Sequence, residues 1–199
     1  MFSMRIAFYF FSFVLVILWF GSCRNSSTPK PRGYFRIDFP EKRYQLFDSI
    51  SFPYSFQYPV YGRVIKDVSK ISEKYWVNVD FPDYKARIHI SYKDAQGRLD
   101  SLSEDSRVLA YKHAAKADAI SERFYSNTET NVYGVLYQIK GNTASSWQFY
   151  VTDSMSHFLR GALYFSVRTN KDSLAPAIDF FGKDLIMLME TVEWKDIDR

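Results

Sequence analysis

The stretch "YWVNVDFPDYKARIHISY" (residues 75–92) decides the fold. Over residues 75–81, Trp76, Asn78 and Asp80 fall on one face, and Tyr75, Val77, Val79 and Phe81 on the other. Over residues 86–92, Ile88 and Ile90 alternate against Arg87, His89 and Ser91. Alternation with a period of two marks strands that bury one face. The "FPDYK" between them is short enough for a hairpin, so an antiparallel pair is expected.

Working outward, "YSFQY" (54–58) alternates between Pro53 and Pro59, and "GRVIKDVS" (62–69) is a second strand candidate. On the C-terminal side, Ser101 and Glu104 are spaced as a capping box. The helix they open is expected to run through "DSRVLAYKHAAKADAI" (105–120), with Val108, Tyr111, Ala115 and Ala119 on one face and Lys112 and Lys116 near its edge. A second strand set follows: "ERFYS", "NVYGVLYQIK", "SSWQFYVTD" and "HFLRGALYFSV". "KGN" and "TDSMS" read as turns within it. Gly161 suggests a bulge or a close backbone approach.

The last helix is expected to be capped by Asp172 or Ser173, with Pro176 in its first turn, where a missing N–H costs little. Leu174, Ile178, Phe181, Leu185, Leu188 and Val192 recur at helical spacing and face the sheet. Gly182 weakens that helix by about 1 kcal/mol relative to Ala, so packing must hold it. The order is strands, helix, strands, helix. It predicts an α+β domain in which two main helices cover an antiparallel sheet of about seven strands. The arrangement looks like the Mog1/PsbP-type sandwich, an analogy of fold that carries no function.

The N-terminal region has a different character. Met1, Phe2, Ser3, Met4 and Arg5 give a short positive start, and residues 6–20 are apolar except Ser12 and the Tyr9 hydroxyl. That run is shorter than the roughly 20 residues that span a bilayer core, and it matches the apolar region of a secretory signal. Gly21 and Ser22 precede Cys23, the only cysteine of the chain. Small residues and then cysteine resemble the bacterial lipobox. That resemblance implies cleavage between Ser22 and Cys23 and palmitate-type acyl chains on Cys23. Phe20 stands where a lipobox usually has Leu. "RNSSTPKPR" (24–32) reads as an extended tether. The expected division is a signal peptide over 1–22, a lipidated tether over 23–32 and a single domain over 33–199. Residues 33–51 mix aromatics with charges and read as an extended arm along that domain. The tether has no acidic run like the surface-export signal of Bacteroidetes lipoproteins, so the domain is expected to face the periplasm from the outer membrane.

The charge balance argues against nucleic acid as a partner. The chain has 26 basic and 22 acidic residues, a net charge of +4. Loss of residues 1–22 removes only Arg5, leaving 25 against 22, or +3. No dense basic cluster of the kind that tracks phosphates is present. His89, His113 and His157 lack metal-ligand spacing, so no metal or cofactor is expected. Ser145 and Ser146 lack the strained nucleophile elbow. Glu104 and Asp105 are explained by a helix dipole.

Several longer strings, "PKPRGYFRIDFPEKRY", "FPYSFQYP", "YWVNVDFP", "LAYKHAAKADAI", "GNTASSWQFYVTDSMSHFLRGALYF", "DSLAPAI" and "METVEW", resemble in order the gliding-motility lipoprotein GldD family of Bacteroidetes. The resemblance spans residues 29–195. It implies an envelope lipoprotein serving gliding and the associated type IX secretion system, with other envelope proteins of that machinery as partners. It supplies no catalytic residues. The leading expectation is therefore a non-enzymatic scaffold or assembly factor, with Arg32, Tyr34, Arg36, Lys112, Lys116 and Arg160 as candidate partner-binding residues. The alternative is a small-ligand or glycan-binding domain, or a cryptic hydrolase, that uses aromatics such as Trp76 and Trp147.

Overall fold

The structure, a computed structural model, describes Tyr9 and residues 37–196. The chain divides into two units, Met1–Gly33 and Tyr34–Arg199. In the second unit the elements run β1 (Tyr44–Phe47), β2 (Tyr54–Pro59), β3 (Arg63–Lys66), β4 (Val77–Phe81), β5 (Ala86–Asp94), α1 (Leu99–Tyr111), β6 (Ala117–Asn127), β7 (Val132–Gly141), β8 (Ser145–Thr152), β9 (His157–Phe165), α2 (Lys171–Glu190) and β10 (Glu193–Trp194).

The expected hairpin forms. β4 and β5 pair antiparallel from Val77↔Ile90 to Phe81↔Ala86. A 3-10 turn over Pro82–Tyr84 joins them, closed by Lys85 in the left-handed region at φ 51°. From this hairpin the sheet grows to seven strands in the order β3-β4-β5-β9-β8-β7-β6, every neighbour antiparallel. β2 does not join it. It forms a separate three-stranded sheet with β1 and β10. The arm is thus fixed by a strand pairing, with Gln45 opposite Tyr58 and Phe47 opposite Phe56.

The two helices lie on opposite faces. Successive residues of a strand point to opposite sides. Along β7, Leu136 enters the core beneath α2, with Phe181, Leu185 and Leu188, while Val135, Tyr137 and Ile139 pack with Ala110 of α1. The α2 side is aromatic: Phe181 is fully buried, with its ring 4.7 Å from that of Phe81. Truncating such a ring to Ala costs about 3–5 kcal/mol. Two glycines allow close approach. A Cβ at Gly161 would meet the Phe149 ring at 2.1 Å, and one at Gly182 would meet Trp147 Nε1 at 2.4 Å. Gly161 is therefore a close approach. The irregularity of the β8–β9 ladder lies between Ser145 and Trp147.

The helices depart from expectation at their ends. α1 begins at Leu99 after Arg98, without a side-chain cap. Ser101 is thus inside the helix, and Glu104 pairs with Arg107 at 2.7 Å in place of a capping box. α1 ends at Tyr111, a 3-10 turn follows at Ala114–Lys116, and β6 starts at Ala117. The buried face of α1 is Ser106 and Ala110, while Val108 and Tyr111 are exposed. α2 is capped by Asn170, whose side chain accepts hydrogen bonds from the amides of Asp172 and Ser173. With the start moved to Lys171, Pro176 sits inside the helix.

Candidate functional site

Three places gather polar groups against the fold. The first joins the arm to α2. Asp184 is fully buried in the stripe that holds Phe181, Leu185 and Leu188. It accepts hydrogen bonds from Lys42 Nζ at 2.6 Å, Tyr61 Oη at 2.7 Å and Tyr44 Oη at 3.0 Å. Lys42 also donates to the Phe180 carbonyl at 2.9 Å and lies 3.4 Å from the centre of the Phe180 ring. Burial lowers the Lys42 pKa, and the Asp184 carboxylate only partly offsets this. Burial and the same carboxylate push the Tyr44 hydroxyl up to about 12. A buried carboxylate needs such partners, because an unpaired ion costs several kcal/mol.

The second place is a cleft of about 540 Å³ lined by Tyr75, Tyr92, His157, Lys74, Lys195 and Asp94, among others. Tyr75 is at φ 70°, a strained conformation for a bulky residue. Its carbonyl accepts from Tyr54 Oη at 2.5 Å. Tyr92 Oη bonds His157 Nδ1 at 2.8 Å, and the His157 ring stacks on Trp194 at 5.0 Å and 8°. Asp153 shapes the adjoining turn. Burial works to raise its pKa, but hydrogen bonds from the amides of His157, Met155 and Ser156 hold it below the ordinary value. The cleft has the volume of a small-molecule site, with lysines and acids interspersed on aromatic walls. Among the described residues, no group of three or more His, Cys, Asp or Glu is placed to hold a metal ion.

The third place is a smaller cleft of about 280 Å³ beside the start of α2, with Ser146, Trp147, Lys171 and Asp179 on its walls. Ser145 and Ser146 are both buried, and Ser145 Oγ donates to the Trp147 carbonyl. Trp76 Nε1 donates to the Tyr92 carbonyl at 2.9 Å. Of the two tryptophans named as ligand-binding candidates, Trp76 is tied into the fold, whereas Trp147 is half-buried on the wall of this cleft.

Lys112 and Lys116 are exposed but do not form a helical pair, since α1 ends at Tyr111, ahead of both, and Lys116 closes the 3-10 turn that follows. Arg160 is half-buried on the α1 face of the sheet, donates to Gln148 Oε1 at 2.5 Å, and has a pKa lowered by that burial. Strand alternation turned it away from the α2 core, and α1 covers that side. Arg32, Tyr34 and Arg36 lie outside the described residues, as do Ser22 and Cys23 with the whole of the expected signal peptide and tether. The sequence reading missed Asp184. Its signal was an acid three residues after Phe181 and four before Leu188, squarely in the apolar stripe.

Comparison with known proteins settles the family. No curated protein matches the chain. Among solved structures, cyanobacterial PsbP (CyanoP) from Synechocystis sp. PCC 6803 is similar, with a TM-score of 0.50 and 9% identity over 78% of this chain and 95% of that one. At that identity the likeness concerns the fold, which is the α+β sandwich expected from the strand and helix order. A family model described as gliding motility lipoprotein GldD matches residues 24–194, almost all of the chain beyond Cys23. The protein is therefore a member of the GldD family, a gliding-motility-associated lipoprotein of the cell envelope.

Proposed function

We propose that this lipoprotein is a non-enzymatic scaffold or assembly component of the gliding motility and type IX secretion machinery. It is held to the outer membrane by acyl chains on Cys23, and its domain faces the periplasm. The observation that carries the reading is the family match, which begins at residue 24, directly after the lipobox-like cysteine. The Lys42–Asp184 clasp supports it, because it fastens the arm that follows the tether onto the domain. Several acyl chains hold far more durably than one, at about 0.8 kcal/mol per buried CH₂.

The experiment is a crosslinked pull-down of the tagged full-length protein from solubilised envelopes, run beside Cys23→Ala. Recovery of gliding or secretion components in fixed proportion, and release of Cys23→Ala from the membrane fraction, are the expected results. A Cys23→Ala protein that stays processed and membrane-bound removes the anchor from the reading. A second reading, a periplasmic small-ligand or glycan-binding lipoprotein, is favoured by the 540 Å³ cleft with Tyr75, Tyr92 and His157 on its walls. A molecule co-purifying with the protein, and lost on Tyr92→Ala, would select it over the scaffold.

A further inference from the structure

The two edges of the large sheet differ. One is β3, four residues long. The other is β6, whose 11 residues pair, among the described residues, with β7 alone. An 11-residue strand spans roughly 37 Å. Long edges are usually blunted by proline, bulges or outward charge, because their unpaired N–H and C=O groups template another strand. β6 contains no proline, and its one register shift lies at its start, between Ala117 and Ala119. Two of its acids are engaged elsewhere: Asp118 with Lys171 Nζ at 2.6 Å, and Glu122 with the Tyr111 hydroxyl.

The side chains also stop short of a finished layer. On the α1 face, the row Tyr150–Val135–Phe124 runs outward across β8, β7 and β6. Val135 is 5% exposed, whereas Phe124 is 81% exposed. Tyr111, at the edge of α1, is 40% exposed and reaches toward β6 through Glu122. An eighth strand would cover Phe124 and continue the row. On the other face, Arg123 is next to Phe124 in sequence and asks for an opposite charge.

We infer that β6 is a strand-addition site for an extended segment of a partner protein, one that carries an apolar residue next to an acidic residue so as to meet Phe124 and Arg123. Main-chain pairing supplies affinity and the alternate side chains supply selectivity. A second copy of this chain fits less well. The two-fold register with full overlap sets Glu122 against Glu122 of the other copy, and like charges directly opposite are destabilising. The inference rests on the scaffold reading, since it names a surface for that docking.

The test uses the full-length lipoprotein, with a photocrosslinking phenylalanine analogue at Phe124 and, as control, at Val68, which is 90% exposed. Amide exchange of residues 117–127 is measured in the free protein and in the purified crosslinked complex. The expected result is a crosslink from position 124, absent from 68, to one extended segment of one partner, with outward-facing β6 amides slowed at least about tenfold. A crosslink without amide protection overturns strand addition and leaves a side-chain contact. A crosslink to a second copy overturns the partner. Partners that crosslink at other surfaces while β6 exchanges freely sink this inference and leave the scaffold reading standing. No partner from any surface sinks the scaffold reading, and this inference with it.

Discussion

Replacing Lys42 by Met removes the ammonium from the clasp and keeps the stem. Asp184 then remains fully buried with, among the described residues, the hydroxyls of Tyr44 and Tyr61 left to bond it. Removing one partner of a buried pair costs about 3–5 kcal/mol. The lower end applies, because the Lys42 side chain is already 27% exposed and two donors survive. The expected loss is about 3 kcal/mol, or roughly 6–12 °C in Tm for a domain of this size. The assay is urea and thermal unfolding of the soluble domain by circular dichroism. A double-mutant cycle with Asp184→Asn separates the pair from its surroundings. With neither charge left, the double variant should lose less than the sum of the single ones, by about 1–3 kcal/mol. A loss under about 1 kcal/mol for Lys42→Met, or strict additivity, refutes the claim that the ion pair holds the arm.

Two further outcomes follow from burial. Burial lowers the pKa of both His89 and His113, with Arg87 near the first and Arg160 near the second adding to the effect. The folded state then binds fewer protons than the unfolded chain below about 6.5, so stability is whole above that pH and declines as pH falls toward the folded values. Unfolding midpoints at pH 7.5 and 5.0 measure the decline, and His89→Gln with His113→Gln should flatten it. Gly182→Ala raises helix propensity by about 1 kcal/mol, but its Cβ would lie 2.4 Å from Trp147 Nε1. Overpacking of this kind costs about 1–3 kcal/mol, so thermal unfolding should show no gain, and a clear gain in Tm would refute the close packing.

The parts of the fold that were legible had local causes. The β4–β5 hairpin reads from alternation because Val77, Val79, Ile88 and Ile90 must all reach one core. The second strand set and α2 read for the same reason. Residues 117–120 were read as helix because Ala117 and Ala119 suit one, but pairing with Lys140 and Ile139 of β7 draws them into a strand. Such long-range pairing overrides a weak local preference. The small sheet was illegible because it pairs Trp194 of β10 with Tyr54 of β2 across most of the chain. The Asp184 clasp failed to appear for a similar reason, since its partner Lys42 is 142 residues away. Nor does a sequence announce how far each outward strand position will be covered, as at the half-buried Arg160.

The clasp also fixes the order in which the domain meets a mechanical load. Any pull on the chain ahead of residue 37 meets Phe39, stacked on Phe180 at 4.2 Å, and then Lys42 before it reaches β1 at Tyr44. Resistance at that point comes from α2, gripped through Asp184 and the Phe180 carbonyl. The four-residue ladder of β1 on β2 comes into play only after these contacts. Tension is therefore handed to the longest helix of the domain while the short strand stays slack. A Lys42→Met protein should surrender its first strand at a lower force than the wild type in single-molecule extension, with the large sheet unaffected until later.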